Sequence, residues 1–190
     1  MSLSLDEFES FVDDYSVGIF PKGRVSILVD IANGHMRKLY NLVDTFLTHR
    51  RVDLGHEIMV GNIANPKTYG EYAKLGVDYI RVGIGGGSGC LTSANTGVHY
   101  PMASLINECF EIKKSNGYKT RIVADGGFRN YDEIIKALSL GADYVMLGGI
   151  LNKSLESCGK NYLFKRIKVS QGTANYIWNK VPFLKKYLYK

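Results

Sequence analysis

Apolar runs that alternate with stretches of helical spacing constrain the fold of this chain more than any other feature. The runs are rich in β-branched residues, and they cover 24–30, 57–61, 77–82, 121–125 and 142–149. The stretches between them repeat apolar residues every three or four positions, and they cover 35–48, 65–75, 102–115 and 130–140. These two periods are typical of buried strands and of amphipathic helices. Because strands that alternate with helices form a parallel sheet covered by helices, the sequence predicts an α/β fold with five βα-type strands.

Candidate functional groups follow the predicted strands directly. They are Asp30, the glycine-rich loop 83–90, Asp125 with Gly126 and Gly127, and the pair Gly148 and Gly149. In a (β/α) barrel the active site lies at the C-terminal ends of the strands, and the late loops often hold phosphate through backbone N–H groups. We therefore predict a TIM (β/α) barrel type of fold, with its functional residues on one face.

The glycine-rich loop presents one cysteine, Cys90, between Ser88 and Thr92. Glycine allows positive φ and a close approach of the backbone to a ligand, and a thiolate in such a polar loop is a nucleophile. Two plainer interpretations stay open. Each glycine could be a simple turn former, and Asp30 and Asp125 could cap the helices that follow them.

The remaining cysteines and the histidines carry less information. Three cysteines in 190 residues, widely separated, indicate neither a disulfide framework nor a zinc site. We interpret Cys109 and Cys158 as unreactive core residues. The four histidines stand singly in the sequence, and we expect them to be exposed and without a catalytic role.

The length of 190 residues and the hydrophobic fraction of 45% predict one domain with a substantial core. No apolar run approaches the roughly 18 to 20 residues that cross a bilayer. The acidic start, with Asp6, Glu7 and Glu9, is unlike a signal peptide. We therefore expect a cytoplasmic protein with no membrane partner.

Positive charge is concentrated in residues 160–190. This tail contains 8 Lys and Arg residues and no acidic residue, whereas the rest of the chain has 16 basic and 18 acidic residues. It is also rich in aromatic residues and contains the single tryptophan, Trp178. Such a segment could bind nucleic acid. The plainer alternative is a helix with one solvated basic face and one apolar face.

Three motifs, in this order along the chain, resemble the IMP dehydrogenase/GMP reductase family and, within it, the GMP reductase branch. They are Asp30-Ile-Ala-Asn-Gly34, Thr96-Gly-Val-His-Tyr-Pro101, and Val145-Met-Leu-Gly-Gly149 with Glu156-Ser157. The resemblance covers a barrel core at 24–159, between a divergent segment at 1–23 and the basic aromatic tail. It implies an NADPH-dependent oxidoreductase that converts GMP to IMP by reductive deamination.

The resemblance also implies a role for individual residues. Cys90 would attack C2 of the purine and form a thioimidate, Thr92 would assist at the departing ammonia, and Asp30 would lie beside the nicotinamide riboside of the cofactor. Asp125 would bind the ribose hydroxyls of the nucleotide. The 5′-phosphate would be held by Ser88, Gly127, Gly148 and Gly149. Backbone carbonyls would hold a monovalent cation such as K⁺, and they belong to Gly85, Gly87 and Cys90.

Two groups that the family uses have no counterpart in this sequence: a lysine from an early strand near the cofactor, and an acidic residue of a mobile flap. The first barrel strands are also unmatched, since residues 1–23 are too few for two βα units. An incomplete sheet exposes its edges. We expect either a homo-oligomer or a partner chain that completes the sheet, or cover of the edges by residues 1–23 and the basic aromatic tail. The alternative function is a catalytically impaired relative that binds purine nucleotide or serves a structural role.

Overall fold

The structure, a computed structural model, describes residues 1–19, 21, 23–50, 55–87, 90 and 92–151. The strands in this part of the chain are β1 Ser2–Leu3, β2 Ser26–Asp30, β3 Glu57–Ile63, β4 Tyr79–Val82, β5 Arg121–Asp125 and β6 Tyr144–Met146. The α-helices are α1 Leu5–Ser16, α2 Arg37–His49, α3 Pro66–Leu75, α4 Thr92–Thr96, α5 Met102–Asn116 and α6 Tyr131–Ser139. A 3₁₀ turn, Gly149–Leu151, follows β6.

The six strands form one parallel sheet in the order of the chain, from β1 to β6. The five predicted strands are confirmed as β2 to β6, and the predicted α/β fold of the barrel type is confirmed. Within the described residues the sheet is open, with β1 and β6 at its two edges. All C-terminal strand ends therefore point the same way, which places the loops that follow them along one rim.

Residues 1–16 form a βα unit for which the sequence analysis predicted no element. The N–H of Ser4 donates to the Glu7 carboxylate at 2.7 Å, and the Glu7 N–H donates back to the Ser4 hydroxyl at 3.4 Å. This reciprocal pair is a capping box, which starts α1 by satisfying N–H groups that have no partner within the helix. The buried face of α1 then packs on α2, where the rings of Tyr15 and Phe46 lie 5.3 Å apart.

The main core lies between the helices and one face of the sheet. In β2, Ile27 and Val29 are buried beneath the helices, while Ser26, Leu28 and Asp30 alternate onto the other, concave face. β4 and the first half of β3 repeat this alternation, which is the period of a pleated strand, whereas Ile122, Val123 and Ala124 of β5 are all buried. Asp30 therefore reaches the concave face at the C-terminal rim because of its position in the strand.

Two expectations about side chains are tested by this core. Cys109 is fully buried in α5, as predicted, and burial raises the pKa of its thiol to about 12. The expectation that the histidines are exposed is wrong for His56, which is buried and accepts the N–H of Val25 through Nδ1 at 3.0 Å. His56 is buried because it directly precedes β3, which carries it to the start of a core strand. Among the described residues, each helix is too short or too polar to cross a bilayer.

Candidate functional site

A cleft of about 260 Å³ lies at the C-terminal rim of β2 to β5. It brings together six residues singled out from the sequence: Asp30, Gly85, Gly87, Cys90, Thr92 and Asp125. The structure thus places the predicted nucleophile Cys90 and the two aspartates, Asp30 and Asp125, around one space. The capping alternative for these aspartates does not hold, because α2 and α6 begin after Met36 and Asn130.

Arg81 connects the two aspartates across the floor of this cleft. Its Nη1 lies 2.9 Å from Asp30 Oδ1, and its Nη2 lies 2.8 Å from Asp125 Oδ2. The Arg81 side chain is only 12% exposed. Gly61 of β3 lies opposite Arg81 in the sheet, and a side chain on Gly61 would collide with Arg81. Gly61 therefore makes the room in which the guanidinium lies between both carboxylates.

Asn62 completes this polar group because of an irregularity in β3. Gly61 pairs with Arg81 and Ile63 pairs with Val82, so Asn62 is an extra residue in the strand. Such a β-bulge turns a side chain away from the regular alternation. The Asn62 side-chain amide donates to Asp125 Oδ2 at 2.8 Å and to the Gly83 carbonyl at 2.7 Å. One oxygen of Asp125 is thereby fixed by an arginine and an amide.

The glycine-rich loop packs backbone against backbone on the loop after β5. Gly83 has φ +122°, a conformation that favours glycine, and a side chain there would overlap the carbonyl oxygen of Asp125. A side chain on Gly86 would lie 3.0 Å from the Gly126 carbonyl oxygen. These glycines therefore have a role beyond turn formation, because they let the two loops of the cleft approach each other closely.

Cys90 is an exposed free thiol at the edge of the cleft. Its N–H donates to the Gly87 carbonyl at 3.0 Å. Thr92 then begins the short helix α4. The exposed Cys90 contrasts with the buried Cys109, and Cys158 lies outside the described residues.

The loop after β2, which carries Asp30, is held by its neighbours on β3 and α3. The N–H of Gly34 donates to the Asn62 carbonyl at 2.8 Å, and Tyr72 donates its hydroxyl proton to the Gly34 carbonyl at 2.8 Å. His35 accepts the Ala64 N–H through Nε2 at 3.0 Å, and its Nδ1 lies 2.9 Å from the Thr68 hydroxyl. Burial lowers the pKa of His35. Contrary to the sequence expectation, this histidine is half-buried and serves as a structural tie for the loop.

The residues predicted to hold phosphate are less closely grouped. Gly127 lies against the glycine-rich loop, since a side chain on it would be 3.2 Å from the Gly86 carbonyl oxygen. Gly148 and Gly149 follow β6, whose Met146 pairs with Asp125, but they do not line the cleft itself. Ser88 lies outside the described residues. In the described part of the chain, the glycines predicted to hold the phosphate therefore lie along the rim formed by the late loops, and they do not enclose one pocket.

Arg81 and Asn62 were not identified from the sequence as site residues. Arg81 did carry a signal, because it is a charged residue between Ile80 and Val82 in a strand that is otherwise apolar. Asn62 carried a weaker one, as a polar residue inside the apolar run of β3.

A sequence profile of the IMP dehydrogenase / GMP reductase domain matches residues 19–181. This match includes most of the chain and every element of the cleft. The chain belongs to the IMP dehydrogenase/GMP reductase family. The resemblance stated from three motifs is thereby confirmed, and the match extends beyond residue 159 into the basic tail.

The chain aligns with only part of the length of individual family members. It is 39% identical to GMP reductase 2 of Mus musculus over 134 residues, which is 70% of this chain and 37% of that protein. It is 36% identical to inosine-5′-monophosphate dehydrogenase of Chlorobaculum parvum over 148 residues, which is 77% of this chain and 29% of that protein.

A solved structure shares the fold. GMP reductase from Trypanosoma brucei, crystallised in complex with guanosine 5′-triphosphate, superposes with a TM-score of 0.62 at 29% identity, over 78% of this chain and 34% of that chain. The chain thus spans about a third of the length of these relatives.

Proposed function

We propose that this chain binds a purine nucleoside 5′-monophosphate in the Cys90 cleft and carries out GMP reductase chemistry there, with NADPH as the reductant. The observation that supports this most is the exposed Cys90 thiol beside a cleft whose floor holds the Asp30, Arg81 and Asp125 group. Relatives named GMP reductase match over 134 residues, which is 70% of this chain. The IMP dehydrogenase relative belongs to the same family, so the choice of reductase rests on the three motifs.

The proposed chemistry begins with the Cys90 thiolate, the reactive form of the side chain. Its sulfur forms a bond to C2 of GMP, and the bond from C2 to the exocyclic amino nitrogen breaks, so that the amino group takes up one proton and leaves as ammonia. The purine is then held as a thioimidate on Cys90. Thr92, which lines the same cleft, is the proposed hydroxyl at the departing ammonia. Hydride addition at C2 and cleavage of the C–S bond release IMP and return the thiolate.

Nucleotide binding is assigned to groups that do not react. Asp125 has one oxygen fixed by Arg81 and Asn62, so its orientation is set before a ribose hydroxyl arrives. We assign the 5′-phosphate to backbone N–H groups near Ser88, Gly127, Gly148 and Gly149, because oriented N–H groups bind anions without a charged side chain.

The residues proposed for NADPH and a cation fit those groups chemically. Asp30 is 49% exposed at the cleft although Arg81 holds one of its oxygens, so a ribose hydroxyl can reach the carboxylate. NADPH would supply the hydride, and the protein supplies position and charge. For K⁺, oxygen ligands are required, and the carbonyls of Gly85, Gly87 and Cys90 provide them. The Gly87 carbonyl accepts one N–H and keeps a second lone pair for an ion.

A second candidate is nucleotide binding without turnover. The cleft of about 260 Å³ is slightly below the roughly 300 to 1,000 Å³ of ordinary ligand pockets. It therefore suits part of one nucleotide better than a nucleotide and a cofactor together. The early lysine and the flap acid, which the family uses, also have no counterpart in the sequence. We also propose that a second copy of the chain or a partner chain completes the open sheet.

One experiment separates the two functions. GMP binding is measured by calorimetry, and GMP-dependent loss of NADPH or NADH absorbance is measured in parallel for wild type, Cys90→Ala and Cys109→Ala. Cys109→Ala is the matched control, because it removes a thiol that is buried in α5. We expect turnover in wild type and Cys109→Ala, and binding without turnover in Cys90→Ala.

The outcomes are distinct. GMP binding without turnover in wild type rejects the reductase and retains the nucleotide-binding function. Turnover that persists in Cys90→Ala contradicts the covalent mechanism. Absence of GMP binding rejects both functions.

A further inference from the structure

The orientation of the Arg81 guanidinium is set by the two carboxylates of the cleft. Arg81 donates to Asp30 and to Asp125 through different terminal nitrogens. In the described part of the chain, its Nε is buried and has no hydrogen-bond partner. A buried N–H without a partner costs free energy. The arginine therefore lies where it can reach both carboxylates, at the expense of a third hydrogen bond.

The two carboxylates are held unequally. Asp125 Oδ2 accepts hydrogen bonds from both Arg81 and Asn62, and the Asp125 side chain is 20% exposed. Asp30 Oδ1 accepts from Arg81, and the Asp30 side chain is 49% exposed. Asp125 therefore anchors the guanidinium, whereas Asp30 takes its orientation from Arg81.

The main chain next to Asp30 is fixed by β3. The Ile31 N–H donates to the Gly61 carbonyl at 2.9 Å, and the Asn62 N–H donates to the Ile31 carbonyl at 2.7 Å. Asp30 itself pairs with Gly61 in the sheet. The conformational freedom that remains at Asp30 is therefore that of its side chain, and Arg81 restricts it from one side.

The shape of a guanidinium connects the two carboxylates mechanically. It is planar, and its N–H groups form a rigid fork. A ligand that fixes Asp125 therefore fixes the direction in which Arg81 meets Asp30. Each carboxylate has a second oxygen that can accept a hydrogen bond from a ligand. A second ligand that binds an already ordered Asp30 then has a smaller entropic cost.

We propose that Arg81 is a positioning residue that couples binding of the nucleotide to binding of the cofactor. The proposal rests on the proposed function, in which Asp125 receives the ribose of GMP and Asp30 the nicotinamide riboside of NADPH. Bound GMP fixes Asp125, Arg81 transmits this order to Asp30, and NADPH binds about 5-fold more tightly. Because coupling of binding free energies is reciprocal, NADPH tightens GMP binding by the same factor.

Calorimetry on the full-length Cys90→Ala variant measures this coupling without turnover. The dissociation constant of NADPH is determined with and without saturating GMP, and that of GMP with and without saturating NADPH. The ratio of the two constants for one ligand is the coupling factor. We expect about 5 from either direction.

Arg81→Lys, made in the Cys90→Ala background, separates coupling from charge. Lysine keeps the positive charge but has no planar fork, so GMP alone should bind nearly as in Cys90→Ala, whereas the coupling factor should fall below about 2. A purely structural role would instead weaken both ligands and leave their coupling factor unchanged. Lys136→Met in the same background is the matched control, because Lys136 pairs with Asp132 on α6, away from the cleft. It should keep the full coupling factor.

Asp30→Ala provides a second measurement if Arg81→Lys fails to fold. Asp30 is about half exposed, and without its carboxylate Arg81 has nothing to position for NADPH. We expect GMP to bind this variant as it binds Cys90→Ala, with a coupling factor near 1 at NADPH concentrations that saturate the variant.

The outcomes distinguish this proposal from the proposed function. A coupling factor of 1 in Cys90→Ala, or an undiminished factor in Arg81→Lys or Asp30→Ala, overturns the coupling role and leaves GMP binding intact. NADPH that binds neither alone nor with GMP overturns it as well. Absence of GMP binding rejects the proposed function and this inference with it.

Discussion

Replacing Arg81 with methionine removes the charge between two carboxylates and keeps most of the aliphatic stem. The Arg81 side chain is 12% exposed, that of Asp125 is 20% exposed and that of Asp30 is 49% exposed. Removing one partner of a fully buried ion pair destabilises a protein by about 3 to 5 kcal/mol, whereas an exposed pair contributes about 0.2 to 1 kcal/mol. The Asp125 pair lies between these limits and the Asp30 pair lies near the lower one. We therefore expect Arg81→Met to lower the free energy of unfolding by about 2 kcal/mol.

The assay is urea unfolding at neutral pH, with the midpoint and the slope fitted for each variant. Lys136→Met is the matched control. The Lys136 and Asp132 side chains pair across one turn of α6 and are 71% and 59% exposed, so we expect no measurable change in the urea midpoint. If Arg81→Met unfolds within about 0.5 kcal/mol of wild type, or no more easily than Lys136→Met, the bridging role of Arg81 is refuted.

Three further substitutions test the packing around the site. Gly83→Ala should destabilise the protein by roughly 3 kcal/mol, because it combines a positive φ with a backbone collision. Gly87→Ala, the control, should be nearly neutral. Equal urea midpoints for the two variants would contradict the role of Gly83. Tyr69→Phe should cost about 1 kcal/mol through loss of a buried hydrogen bond of 2.9 Å, and Tyr131→Phe, on an exposed face, should cost nothing measurable by thermal unfolding. Burial lowers the pKa of His35, so its contribution should be complete above about pH 6.5 and decline as pH falls below that value, because the unfolded chain then binds more protons. Between pH 7 and pH 5 the free energy of unfolding should therefore fall faster for wild type than for His35→Asn. Parallel curves of unfolding free energy against pH would contradict a neutral His35 in the folded protein.

Strands β2 to β6 were predictable from the sequence because each of them has a strong local pattern. The run 121–125 is observed with the same bounds, Arg121–Asp125, since a continuous apolar segment there ends at an acidic residue followed by glycine. The helix predicted over 102–115 extends to Asn116 and ends before Gly117, whose φ of +67° closes it. β1 was not predictable in this way, because two residues are too few to show a period. The capping box of Ser4 and Glu7, in contrast, was a readable signal for α1.

The candidate site was predictable only in part. Asp30 and Asp125 end their strands, Cys90 lies in the loop after β4, and parallel strands bring such residues to one rim. The arrangement of Arg81 and Asn62 depends on which residues face each other across β3 and β4, and on one extra residue in β3. Neither the register nor the bulge has a local sequence pattern, so the group that orients both aspartates could not be foreseen.

The strand order of the sheet bears on how the protein is made. Each strand pairs with the one that precedes it in the chain, so a nascent chain that leaves the ribosome can add each strand to an edge that already exists. Domains fold as they are synthesised from the N-terminus, and contacts between neighbouring parts of the sequence form quickly. The exception is β5, which must wait for 38 residues, 83–120, that carry the glycine-rich loop, α4 and α5. While that stretch is synthesised, β4 remains the edge strand of the sheet. A chaperone that binds incomplete chains then has its longest opportunity to contact that edge.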